Sequence, residues 1–417
     1  MVILRDNYLN ALKIRMHNGM IKVVTGIRRS GKSFLIFNLF KNYLMEIGTD
    51  KSHIIEIQLD LRQNRKYRDP DVILEYIDSL IKDNDQYYIL LDEVQMLDEF
   101  EEVLNSLLYV QNVDVYVTGS NSKFLSKDII TEFRGRGDEI HIYPLSFKEF
   151  MSAYDGDMYQ GWAEYVTYGG LPLIASFPTE EQKMQYLTTL FDETYIKDII
   201  ERNHIEKIQE LNDIINILAS SIGSLSNPSK IEATFKSVIR SDISLNTIRK
   251  YIEYLKDAFI ISEAVRYDVK GRKYIGTPVK YYFEDVGLRN ARLGFRQVEE
   301  THLMENIIYN ELKMRGYSVD IGVVQKRVKS DDGTVPNKQL EIDFVANKGS
   351  RRYYIQSAYS IPDDAKIRQE KASLVSVKDS FKKMIIVKEV IKTRHDEEGI
   401  TIMSIYDFLL RENSLEL

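Results

Sequence analysis

Four short apolar runs mark the first third of the chain: IKVVT from Ile21, IIEIQL from Ile54, YYILLD from Tyr87 and VDVYVTG from Val113. Between them lie stretches in which apolar residues recur every three or four positions, such as SFLIFNLFKNYLMEI from Ser33. Short runs in which apolar residues occupy both alternating faces belong to strands covered on both sides. The pattern therefore predicts an α/β domain over residues 1–143, a parallel sheet with crossover helices.

From 144 to 205 the periodicity is helical and rich in Tyr, broken at Tyr168-Gly169-Gly170-Leu171-Pro172, which must turn. This section reads as a helical lid. Over 206–298 short helices lead into SLNTIRKYIEYLKDAF, with Ser244 as N-cap and a stripe of Leu245, Ile248, Tyr251, Ile252 and Leu255. Two strand-like runs joined by VKGRK follow, and helix followed by hairpin is the order of a winged helix. Residues 299–417 read as helix (LMENIIYNELKMRG), strands (YSVDIGVV, LEIDFVAN, RRYYIQSAY), helix, strand (KMIIV) and a last helix, a second α/β domain.

Composition narrows little. The 417 residues are 44% hydrophobic and 29% charged, values of a chain that folds throughout, and a formal net charge of −7 speaks against a wholesale electrostatic nucleic-acid binder. With no cysteine there is no disulfide, thiolate zinc site or thiol nucleophile, which fits the cytoplasm. The first residues carry charges where a signal peptide needs an apolar core. No later run approaches about 18 uncharged apolar residues, so neither secretion nor a membrane span is expected.

The chemistry lies at the ends of the first strands. Gly26-Ile27-Arg28-Arg29-Ser30-Gly31-Lys32-Ser33 has the phosphate-loop spacing between an expected strand and an expected helix. Glycines let backbone N–H groups turn inward on phosphates, the helix start adds its dipole, Lys32 reaches the β and γ oxygens, and Ser33 is placed to hold Mg2+. The run Ile89-Leu90-Leu91-Asp92-Glu93 ends in two acids: Asp92 for Mg2+ and Glu93 to polarise the attacking water. A helix cap with an acidic first turn would look the same. Thr118, Ser120 and Asn121 end the fourth run, and Asn121 or Ser120 could position the lytic water or merely form a turn. Arg134 and Arg136, in EFRGRGDE, are candidates for an arginine finger in cis or from a neighbouring subunit, or else surface residues paired with Glu132 or Asp138.

Together TGIRRSGKS, LLDEVQ, VTGSNS, the GR followed by IYPLSFKEF, YGGLP, KYYFEDVGLRN, and EIDFVA followed by YYIQSAY resemble, over essentially the whole chain, bacterial and archaeal AAA-type ATPases with a C-terminal domain of uncharacterised function. The resemblance implies an AAA-like core with ATP and Mg2+ as ligands, a winged-helix section, and an end similar to a PD-(D/E)XK nuclease fold. It assigns nucleotide binding to Gly26, Gly31, Lys32 and Ser33, with Asp92 and Glu93 handling metal and water. It settles no physiological role.

A nuclease of that kind needs clustered carboxylates for metal and a lysine near the attacking water. Glu305 and Asp343 can fill two places, and Glu341, two residues before Asp343, shares its strand face. The next strand, however, offers Gln356-Ser357-Ala358, and Ala358 cannot replace a lysine. An inactive fold kept for contact with a partner or nucleic acid, with Asp343 as a structural carboxylate, is the expectation. Lys270, Arg272 and Lys273 could carry the hairpin to a phosphate backbone, although three cations give little duplex affinity.

The sequence thus favours an ATP-hydrolysing switch acting on a protein or DNA partner, with assembly into a homo-oligomer left open. An ATP-gated nuclease, a DNA-binding regulator with structural ATP, and a small-molecule kinase are the alternatives.

Overall fold

The apolar runs become strands β1 (Ile21–Thr25), β2 (Ile54–Gln58), β3 (Tyr87–Asp92) and β4 (Val113–Thr118), joined by β5 (Gly137–His141) in a sheet of order β2-β3-β4-β1-β5. Every pairing is parallel. The computed structural model describes residues 3–119, 135–240, 242–296, 298–327, 337–361 and 363–417. It divides into two units, Met1–Pro144 with Asp257–Phe259, and Leu145–Lys256 with Ile260–Leu417.

Why these runs lack polar alternation is visible in β3. Tyr87, Ile89 and Leu91 pack on one side with Ile73, Ile77, Val103 and Leu104, while Tyr88 and Leu90 pack on the other with Leu12, Leu35, Leu39 and Phe40. Both faces are buried, so both parities must be apolar. The helical run after β1 is α-helical at Lys32–Phe34, widens into a π-helix at Leu35–Phe40 and returns to α at Lys41–Glu46. It supplies most of the second face and so fixes the loop before it against the sheet.

The second unit holds a mixed sheet of order β12-β13-β11-β10-β9-β8-β6-β7. Its strands are β6 (Ile261–Asp268), β7 (Lys273–Phe283), β8 (Ser318–Arg327), β9 (Asn337–Lys348), β10 (Arg351–Ala358), β11 (Lys382–Val387), β12 (Arg394–His395) and β13 (Thr401–Ser404). The boundary expected at 298/299 is not a break in this sheet. The hairpin β6–β7 continues it, because Arg266 to Asp268 of β6 pair in parallel with Ile321 to Val323 of β8. The helix before the hairpin, Leu245–Asp257, is capped as expected, Ser244 Oγ accepting from Thr247 N at 3.1 Å, and buries Ile248, Tyr251, Ile252 and Leu255.

The stretch expected as a lid also belongs to the second unit. Its helix Met158–Tyr168 ends on Gly169-Gly170, and the start of the helix Val286–Arg292 packs against that turn. Asp285 accepts from Leu288 N at 3.0 Å, capping the second helix, and from Gly170 N at 2.8 Å. Asn290 donates to the carbonyls of Val166 and Thr167 at 2.9 and 3.0 Å, satisfying the end of the first. Gly169 has φ +75°, and a Cβ there would lie 2.2 Å from Asp285 Oδ1. YGGLP and EDVGLRN are thus two sides of one joint. Among the described residues no helix is long and apolar enough to cross a membrane.

Candidate nucleotide site

In a parallel sheet all carboxyl ends lie on one edge, and ligands bind there where the strand order reverses. Here β1 lies between β4 and β5 with β3 beyond β4. The loop after Thr25, the acids after Leu91 and the hydroxyl of Thr118 therefore share an edge.

The loop is built on close approach. Gly26 has φ +133°, and a Cβ on it would meet the Ile142 carbonyl oxygen at 2.1 Å, so only glycine lets the chain leave β1 against the segment after β5. Arg29 at φ 65° and Gly31 at φ 97° are both left-handed, and Gly31 begins the helix at Lys32. Lys32 is buried, and its ammonium donates to the carbonyls of Gly26 at 2.9 Å and Ile27 at 3.0 Å, inside the loop. Arg29 is exposed and Arg28 half-buried at the loop's crest.

Opposite the loop, Asp92 is 4% exposed. Its Oδ1 accepts from Ser33 Oγ at 3.1 Å and from Thr118 Oγ1. Burial pushes its carboxyl above the usual range, against the pull of the Thr118 and Ser33 hydrogen bonds. Ser33 and Asp92 present hard oxygen donors side by side, a donor set that fits Mg2+. Glu93 follows at φ 50°, a left-handed conformation uncommon for any side chain but glycine, with its N–H donating to Thr118 Oγ1 at 3.0 Å and its carboxylate held by Gln95 Nε2. Thr118 thus organises both acids.

Arg136 lies elsewhere. Its carbonyl accepts from Ile21 N at 2.9 Å and Gly137 pairs with Ile21, the amino end of β1. The phosphate loop starts at the other end of this five-residue strand, roughly 16 Å away at about 3.3 Å per residue. A cis finger at Arg136 is excluded by the parallel pairing of β5 with β1. Its guanidinium sits 5.8 Å from the centre of the Tyr109 ring. Ser120, Asn121 and Arg134 lie outside the described residues.

Arg5 is a residue that sequence reading missed. It is 4% exposed, and its guanidinium donates to Ser30 O of the loop at 2.9 Å and to Tyr143 O and Pro144 O at 2.8 and 3.5 Å. A lone arginine before an amphipathic helix carries no sequence signal of this bridge. A hydrogen bond to a charged group contributes about 1.5–3 kcal/mol, so Arg5→Ala is expected to weaken ATP affinity about tenfold in a fluorescent-nucleotide titration. Arg5→Lys, a point donor without the fork, should fall between. Unchanged affinity would mean that the bridge only holds the chain start in place.

In the second unit the structure gathers Glu305, Glu341 and Asp343, and places Lys280 of β7 among them. Of the hairpin cations, Lys270 donates to the Gln325 carbonyl at 2.9 Å.

A family model described as an AAA domain matches residues 18–151, and one described as a domain of unknown function matches residues 159–299. An uncharacterized protein of Haemophilus influenzae is 33% identical over 416 residues, covering 98% of this chain and 99% of the relative. One of Methanocaldococcus jannaschii is 27% identical over 409 residues, covering 94% and 86%. Among solved structures, a Walker-type ATPase of Pyrococcus abyssi superposes with a TM-score of 0.51 at 16% identity, over 70% of this chain and 96% of that one, a likeness of fold.

Proposed function

The chain belongs to the AAA-type P-loop ATPases that carry a C-terminal domain of unknown function, and from that premise we propose that it binds and hydrolyses ATP and acts as a nucleotide-driven switch on a macromolecular partner. The observation that carries the reading is the convergence of Lys32, Ser33, Asp92, Glu93 and Thr118 on one sheet edge.

In this reading the loop N–H groups and the helix start receive the phosphates, and the Lys32 ammonium exchanges loop carbonyls for phosphate oxygens. Ser33 and Asp92 would hold Mg2+, which when bound neutralises charge on the phosphates. Glu93 takes a proton from water as its oxygen attacks the γ-phosphorus and the bond to ADP breaks. The strained backbone and the Gln95 hydrogen bond hold its carboxylate in one direction. A finger at Arg136 would have to come from a second copy of the chain.

Glu93→Gln is expected to keep ATP binding within a few-fold while phosphate release falls about 10²- to 10⁴-fold, the usual contribution of a general base. Turnover at the wild-type rate would remove Glu93 from the mechanism, and a wild type that does not bind ATP would overturn the reading. The switch requires the partner to prefer one nucleotide state, since equal affinity shifts nothing. A partner that binds the ADP and ATP forms alike would dismiss it.

A further inference from the structure

Glu305 on the helix Glu300–Met314 and Glu341 with Asp343 on β9 are three carboxylates that face one another across a single buried position. The lysine that a hydrolytic site would need is absent from β10, where Ala358 stands buried. The structure brings a different one. Lys280 Nζ lies 2.8 Å from Glu305 Oε1, 2.8 Å from Glu341 Oε1 and 3.9 Å from Asp343 Oδ1.

We propose that the Lys280 ammonium is the built-in cation of this cluster, standing where a divalent metal would and excluding one. One oxygen of Glu305 and one of Asp343 are already engaged. Glu305 Oε1 accepts both Lys280 Nζ and, at 2.6 Å, Tyr282 Oη, and a carboxylate oxygen has two in-plane lone pairs to give. Asp343 Oδ2 accepts Ser357 N at 2.8 Å, which turns it towards its own sheet. Period-two alternation on β7 aims Lys280 and Tyr282 at the same carboxylate, and the same alternation on β9 aims Glu341 and Asp343 at the same ammonium.

Most of the arrangement is enclosed. The Lys280 side chain is 4% exposed, that of Glu305 12%, that of Asp343 11% and that of Glu341, at the rim, 35%. A lysine that serves hydrolysis must face the attacking water with acid oxygens free for metal, whereas this one is spent on those oxygens. The cluster staples the hairpin strand β7 to the helix and to β9. This inference is independent of the nucleotide site.

The test is Mn2+ binding to the nucleotide-free full chain, followed by electron paramagnetic resonance, in wild type, Lys280→Met, Asp343→Asn and the double variant. Any Mn2+ held near Ser33 and Asp92 is common to all four and cancels. Wild type and Asp343→Asn are expected to bind equally, Lys280→Met to gain one Mn2+ per chain, and the double variant to lose that gain. A wild-type site that Asp343→Asn abolishes would overturn the proposal, as would folded Lys280→Met with no extra Mn2+. Mn2+-dependent DNA cleavage by wild type that Asp343→Asn removes would do the same. Should Lys280→Met not fold, the comparison of wild type with Asp343→Asn decides.

Discussion

Phosphate release from ATP is expected to fall at least 100-fold in Lys32→Ala. The ammonium is held inside the phosphate cradle, 2.9 and 3.0 Å from two loop carbonyls, and alanine removes the loop charge that would meet the transferred phosphoryl group. Loss of one preorganised donor of this kind commonly costs 10²- to 10³-fold. Two readings separate chemistry from folding. ATP at about 100 times its Kd should stabilise wild type by about 2.7 kcal/mol, visible as a rise in Tm, and should leave the variant unmoved. A variant that still turns over ATP near the wild-type rate would mean that the Gly26 to Ser33 loop is not the site.

Gly287→Ala is expected to destabilise the second unit by about 3 kcal/mol, the upper range of overpacking. The added Cβ would lie 2.1 Å from the Tyr168 carbonyl oxygen, 2.3 Å from its carbon and 2.8 Å from Gly169 N, all backbone atoms with no rotamer to turn away. Relief requires parting the two helices, which breaks the Asp285 bond to Gly170 N and the Asn290 bonds to Val166 and Thr167. At about 2–4 °C per kcal/mol for a unit of this order, calorimetry should show a fall of roughly 6–12 °C. Gly276→Ala is the control, since a Cβ there meets nothing within 4 Å and should cost under about 0.5 kcal/mol. Equal effects of the two would remove the joint from the account of stability.

Much of the nucleotide site was legible because its signals are local. A strand, a glycine loop and a helix follow one another within residues 21–46, and a strand apolar from Tyr87 to Leu91 runs into two acids, Asp92 and Glu93. The Ser244 cap and the buried stripe behind it were equally readable, since capping and helical periodicity join residues three or four apart. The YGGLP and EDVGLRN motifs were visible too, but what they do to each other was not.

By itself, then, the sequence determined which segments become strands and helices and which side chains stand at their ends, because those outcomes rest on neighbours along the chain. Only the tertiary structure decided which ends meet. Parallel pairing of β5 with β1 sends Arg136 to the edge away from the phosphate loop, and the fold of the chain start lets Arg5 hold Ser30, Tyr143 and Pro144. The cation that meets the carboxylates comes not from beside Ala358 but from β7, a strand assigned from its sequence to another domain, because β6 pairs with β8 and makes the hairpin part of the C-terminal sheet. Such contacts depend on strand order and on burial of distant surfaces against each other, and no periodicity within one segment encodes them.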